Sequence, residues 1–161
     1  MVIAKWIVIA LVALAVLLLV AGQLGALAGT PPQGLGVQDG KLKRPSSTPN
    51  SVSSQADLWP DHPQKDYARI APLPLRGDGP ATIAKLKAIC AAMPGATVVT
   101  EKPDYLYVQF QTRLMKYVDD AEFWFDPKAN AIQVRSASRV GRKDFEVNRA
   151  RVEAIRARLA G

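Results

Sequence analysis

From residue 6 to residue 30 the chain carries no charged side chain, and Leu, Val, Ala and Ile dominate the run. In hydrocarbon every backbone amide and carbonyl must be satisfied within the segment, so a lone run of this kind can only be a helix. At about 1.5 Å per residue, WIVIALVALAVLLLVAGQLGALAG is long enough to cross a hydrocarbon core of about 30 Å. Trp6 then sits at the interface and Lys5 marks the cytoplasmic end. A cleaved signal peptide is the competing reading: residues 6–20 have a suitable apolar length, and Ala26-Leu27-Ala28 resembles a small-residue cleavage site. The only cysteine, Cys90, lies far beyond the run, so a lipoprotein anchor is excluded. The uncharged length exceeds what a signal peptide needs and favours an uncleaved anchor. Both readings place the remainder outside the cytoplasm. The expectation is a single-pass membrane protein, with residues 1–5 cytoplasmic, residues 6–29 the anchor or signal peptide, and the C-terminal domain on the periplasmic side.

Residues 30–76 are rich in Pro, Gly, Ser and Asp and show no sustained period. Leu35, Val37, Leu42, Val52, Leu58, Trp59, Tyr67, Ile70, Leu73 and Leu75 recur along them, which a disordered linker would not carry. They read as an extended arm packed on the domain. The domain itself occupies residues 77–161. Net charge is +7, and of the basic residues only Lys5 precedes the arm. The excess concentrates after residue 134, where it faces solvent, an anionic partner or a lipid surface. One cysteine permits no intrachain disulfide and no cysteine zinc site. One histidine, His62, lies in a Pro-rich loop with no pattern of a base and its orienting partner.

The domain opens with a helix capped by Asp78 or Gly79, with Pro80 in its first turn. Ile83, Leu86, Ile89, Cys90 and Met93 share one face, and Pro94-Gly95 ends it. Strands follow at 97–100 and 105–114, and residues 118–141 read as two further strands about a turn at 127–130. A final helix is expected from about Asp144 to Leu159, burying Phe145, Val152, Ile155 and Leu159, with Asn148 in the same stripe. Short turns between consecutive strands imply an antiparallel meander. The fold class is therefore α+β: an N-terminal transmembrane helix, then a two-layer sandwich of a four-stranded antiparallel meander with two helices on one face.

Alternation sets the register of the last two strands. Pairing Phe125 with Ile132 puts Phe123 opposite Val134 and Ala121 opposite Ser136, all on the apolar face. The other face then places Glu122 opposite Arg135 and Trp124 opposite Gln133. As an exposed pair, Glu122–Arg135 is worth at most about 1 kcal/mol. Tyr107, Gln109, Asp120, Glu122, Arg135 and Arg139 together form a polar sheet face suited to a small polar or anionic ligand. Asp119 and Asp120 are neighbours on one strand and point to opposite faces, so no metal site is assigned. No cofactor is implied. The basic residues lack interleaved aromatics, which argues against nucleic acid. Asn148 needs partners in its apolar stripe, and it is grouped with Ser136 and Ser138 as structural polar residues.

The stretches VDDAEFWFD, QVRSASRVGRKDFEVNRARVEAIR and PPQGLGVQDGKLKRPSSTPNSVSSQA resemble the family called domain of unknown function 1499, over about residues 31–158. Asp119, Asp120, Glu122 and Phe123 match its Asp-Asp-x-Glu-Phe strand. Arg135, Ser136, Ser138, Arg139 and Gly141 match its Arg-Ser-x-Ser-Arg-x-Gly segment, and Asn148-Arg149 its Asn-Arg. Asn50, Ser53 and Ser54 match its upstream Pro-Asn-x-Val-Ser-Ser. Many members carry cysteines near that motif, where this chain has Arg44 and Ser51, so no redox role carries over. The resemblance implies a domain with an extracytoplasmic or membrane habit and assigns it no particular activity. Two functions follow from the residues: a binding module for an envelope protein or an anionic ligand, or a small-ligand hydrolase with Asp120 or Glu122 as base and Arg135 or Arg139 as anion clamp.

Overall fold

The computed structural model of the chain describes residues 2–161. Helix α1 (Val2–Gln23) is apolar on every side between Lys5 and Gln23, and its only buried residue is Gly22. Strand β1 (Ser51–Ser53) and the short helix α2 (Lys65–Ala68) lie in the arm. The domain proper runs α3 (Gly79–Ala91), β2 (Ala96–Lys102), β3 (Tyr105–Gln111), β4 (Val118–Asp126), β5 (Ala131–Ser138) and α4 (Val147–Ala160).

The sheet is antiparallel and has five strands in the order β1-β5-β4-β3-β2. The fifth strand corrects the expectation of four. β1 is three residues long in a Pro/Ser-rich stretch, too short to show a period. Tertiary pairing makes it a strand: Val52 lies opposite Ser136 and is buried among the core side chains. The β4–β5 register is the one the alternation implies, with Phe125 opposite Ile132, Phe123 opposite Val134 and Glu122 opposite Arg135.

Helices α3 and α4 cover one face. The Asp78 carboxylate caps α3 by accepting the Ala81 amide at 2.7 Å, and Pro80 stands in the first turn where no amide is needed. Ile83, Leu86 and Cys90 from α3 meet Val152, Ile155 and Leu159 from α4 over Leu106, Val108, Phe123 and Val134. Complete burial of a side chain such as Phe123 contributes about 1.5–3 kcal/mol.

β3 ends earlier and α4 starts later than expected. β3 ends at Gln111, not Leu114, because the chain turns away at Thr112, leaving Leu114 64% exposed. α4 starts at Val147: Phe145 and Glu146 take left-handed backbone angles (φ +51° and +65°) that no helix contains. Phe145 is therefore outside the buried stripe and 88% exposed. Asp144 still serves the helix start, its carboxylate accepting the amides of Glu146 at 3.2 Å and Asn148 at 3.1 Å.

The arm supplies a third layer on the second face. Leu42 is buried with Tyr105, Tyr107 and Trp124, and Leu35 packs against them. Gln55 holds the arm's 38–41 turn to the segment after β1, accepting from the Leu42 amide at 2.8 Å and donating to the Gly40 carbonyl at 3.1 Å. Ser54 extends the β1–β5 pairing: its amide donates to the Val134 carbonyl at 2.9 Å, and its Oγ accepts the Val134 amide at 2.8 Å.

Candidate functional site

Pleating brings Tyr105, Tyr107 and Gln109 of β3, Asp120 and Glu122 of β4 and Arg135 of β5 to one face, with Arg139 just past the end of β5. The expected open polar face is instead a buried one. Glu122 is 0% exposed and Arg135 3% exposed, because residues 35–44 of the arm lie across them. This corrects the reading of Glu122–Arg135 as a surface pair. The arm carries the covering polar groups itself. Gly36 donates its amide to Glu122 Oε1 at 2.6 Å, and Tyr105 donates its hydroxyl to the same oxygen at 2.8 Å. Gly36 does so at φ +94°, backbone geometry that glycine adopts without steric cost. Arg135 donates Nε to the Arg44 carbonyl at 3.3 Å. Between the two side chains, Glu122 Oε2 faces Arg135 Nη1 at 3.7 Å, too long for a hydrogen bond, and neither atom has another partner. Burial pushes the Glu122 carboxyl above its ordinary range, opposed by the Gly36 amide and the Arg135 charge. Burial likewise lowers the affinity of the Arg135 guanidinium for its proton, opposed by the charge of Glu122.

The second acid on this face is more tightly held. Arg139 clamps Asp120 with two parallel bonds, Nε to Oδ2 and Nη2 to Oδ1, both 2.8 Å. Tyr107 donates its hydroxyl to Asp120 Oδ1 at 2.5 Å and accepts from Gln109 Nε2 at 2.8 Å. Burial, followed by the Asp120 carboxylate, raises the Tyr107 phenol above its usual range. The six predicted ligand-binding residues thus fall into two clusters, Glu122–Arg135 and Asp120–Arg139–Tyr107–Gln109. In both, the acid is engaged by partners from this chain.

The opposite face holds a third ion pair that the sequence reading did not assign. Asp119 points toward the helices and accepts from Arg151 Nη2 at 2.5 Å, while the Arg151 guanidinium lies 4.6 Å from the Phe110 ring centre. Neighbouring Asp119 and Asp120 thus each have their own arginine, from α4 and from the end of β5. Asn148 ties this region together. Its Oδ1 accepts from Ser136 Oγ at 2.6 Å and Arg151 Nη1 at 2.8 Å, and its Nδ2 donates to Ser138 Oγ at 3.0 Å and Asp144 Oδ2 at 2.9 Å. Asp144 also accepts from the Tyr67 hydroxyl at 2.5 Å. Burial works against the Asp144 carboxylate, yet the bonds from Tyr67, Asn148 and Glu146 outweigh it and hold its pKa below the usual value of 3.8. A single Asp three residues before a helical pattern is a readable capping signal for Asp144. Nothing local announces that Tyr67, far upstream, completes it.

A cavity of about 750 Å³ lies where β2 and β3 meet the 112–117 loop, lined by Gln109, Gln111, Arg113, Lys116, Phe110 and Arg151 among others. Of the predicted ligand-binding residues only Gln109 reaches it. The side chains of Arg113 and Lys116 make no ion pair among the described residues. His62 accepts the Gln64 amide on Nδ1 at 3.1 Å within its own turn. Among the described residues no three His, Cys, Asp or Glu side chains converge on a possible metal position.

Fold and site define an α+β domain whose sheet is closed on one face by two helices and on the other by its own arm, with each buried acid on that arm-covered face answered by an arginine. Its family is the one described as protein of unknown function (DUF1499), which matches residues 41–159, and the chain belongs to it. Comparison with curated proteins finds no match, and comparison with solved structures finds none either.

Proposed function

We propose that the chain is a single-pass membrane protein whose domain stands on the extracytoplasmic side and works as a binding module for an envelope component. The observation that carries this reading is the joint between α1 and the domain. α1 is long and apolar enough to cross a membrane, and none of its apolar span is covered by the rest of the chain. Its last turn nevertheless docks. A Cβ on Gly22 would lie 2.9 Å from the Met115 carbonyl oxygen, so only glycine allows this approach. Gln23 donates Nε2 to the Leu114 carbonyl at 2.7 Å. Cleavage after Ala28 would discard both contacts, which supports an anchor over a signal peptide. Lys5 on the short N-terminal side supports a cytoplasmic N-terminus.

Binding is supported over the small-ligand hydrolase by the state of the acids. A general base needs a carboxylate within reach of its substrate. Asp120 has both oxygens on Arg139, and Glu122 lies beneath the arm. The cavity beside Arg113 and Lys116 offers an anionic group an open recess with uncommitted cations. In a Gram-negative host, the full chain is expected to resist alkaline extraction from membranes, to retain its first 28 residues by intact mass, and to be cut by protease added to spheroplasts. A shortened, freely soluble product rejects the anchor.

A further inference from the structure

We infer that the end of the domain nearest α1 is a lipid-binding surface, with the 112–117 and 139–146 loops seated in the anionic headgroup layer of the leaflet from which α1 emerges. This rests on the anchor reading above and specifies what the domain binds.

The depth follows from length. With Trp6 at the cytoplasmic interface, α1 reaches Gln23 after about 26 Å of helix against a hydrocarbon core of about 30 Å, so Gln23 arrives at the edge of the headgroup layer. Whatever touches Gly22 and Gln23 is at that depth, and the 113–115 backbone touches both. Gly29 then passes against Arg139 and Val140, bringing the second loop to the same end. Topology agrees: the end of β3, the start of β4, the end of β5 and the start of α4 all lie at one end of an antiparallel sheet.

The side chains at this end are of two kinds. Leu114, Tyr117, Val140 and Phe145 are exposed, and together with Leu24 and Val147 they make up most of the exposed large apolar residues outside α1. Tyr suits the membrane interface, and Phe and Leu the apolar boundary just beneath it. Phe145 is the most pronounced case. Its left-handed backbone, locked by the Asp144 carboxylate on the Glu146 amide, keeps the ring out of the core it was expected to join. Strained backbone held in place by its surroundings marks a functional surface. Between these apolar tips stand Arg113, Lys116, Arg142 and Lys143, none with an ion-pair partner among the described residues. The acids nearby are committed: Asp119, Asp120 and Asp144 are buried, and Glu146 pairs with Arg149 at 2.8 Å. At the far end Glu101 and Asp104 are exposed and Asp126 half-buried, beside the exposed Lys102 and Lys128. Apolar tips among unpaired cations, facing the leaflet, match an anionic lipid surface.

The test uses the full chain in vesicles of phosphatidylcholine, with or without phosphatidylglycerol. Nitroxide labels are placed through Leu114→Cys, Phe145→Cys and, as a water-facing control on β2, Val99→Cys. Cys90 is buried and burial pushes its thiol up to about 12, so it stays unlabelled. In the phosphatidylglycerol vesicles, the labels at 114 and 145 are expected to be several-fold less accessible to a water-soluble nickel relaxant than the label at 99. Arg113→Glu with Lys116→Glu is expected to undo that protection. Labels at 114 and 145 as accessible as at 99, on protein that still resists alkaline extraction, overturn the seating and leave the anchor standing. A surface reserved for a protein partner gives that same aqueous result in these vesicles. Protection indifferent to the charge reversals overturns the role of the cations. Loss of the chain from the vesicles overturns the anchor and the seating together.

Discussion

The carboxylate of Glu122 has two oxygens in different circumstances: one accepts from Gly36 and Tyr105, and the other meets only the charge of Arg135 at 3.7 Å. Exposed ion pairs contribute about 0.2–1 kcal/mol, whereas removing one partner of a buried pair costs about 3–5 kcal/mol because a charge is left without compensation. Glu122→Ala is expected to fall in the second range, read as a shift of the denaturant midpoint of the detergent-solubilised protein. The joint replacement Glu122→Leu with Arg135→Met should cost far less than that single change, since no charge remains unpaired. A single-variant loss under about 1 kcal/mol would contradict the burial. Asp144 gives a pH dependence. Its folded pKa lies below 3.8, so its stabilising bonds are fully present above that value and are lost as pH falls through the folded pKa. Asp144→Asn is expected to lower stability at neutral pH by roughly 1–3 kcal/mol. It should also flatten the acid limb of the stability profile below about pH 4, which urea titrations across pH would read. An acid limb as steep as that of the parent would remove Asp144 from this role.

Elements differ in how they acquire their structure here. α3 carries its own instructions, a capping Asp78, Pro80 and a periodic apolar face. β4 and β5 likewise carry an alternation that admits one register. The arm has no such local instruction. β1 becomes a strand because β5 offers a free edge, and the 35–44 segment is ordered because Leu42 fills a space between Tyr105, Tyr107 and Trp124. The arm is thus a layer of the fold and not a tether. Leu42→Ala should therefore cost about 2–5 kcal/mol, the range for emptying a packed site. It should also speed tryptic cleavage at Lys41 and Lys43 relative to Lys128. Unchanged stability and unchanged cleavage would mean that the arm merely rests on the sheet.

For the molecule as a whole, the unequal distribution of charge and apolar surface between the two ends of the sheet is what supports the proposed seating on a membrane. The apolar run needs no tertiary partner to be helical as far as Gln23, because backbone satisfaction and apolar content suffice. The β4–β5 register, the apolar stripes of both helices and the family membership were also legible along the chain, since each depends on local periodicity or on a contiguous motif. Burial of Glu122 and Arg135 was not. A strand pattern says which residues share a face but not what covers that face, and the cover over Glu122 comes from Gly36, 86 positions earlier. Phe145 was misplaced for a related reason. Helical spacing assigned it to the core, but the Asp144 carboxylate, fixed by Tyr67 and Asn148, starts the helix later and turns the ring outward. The chain's pattern thus settled its helices, its hairpin and its apolar N-terminal segment, which are short-range matters. Tertiary packing alone decided which polar residues lie in water, because that depends on contacts between segments far apart in sequence.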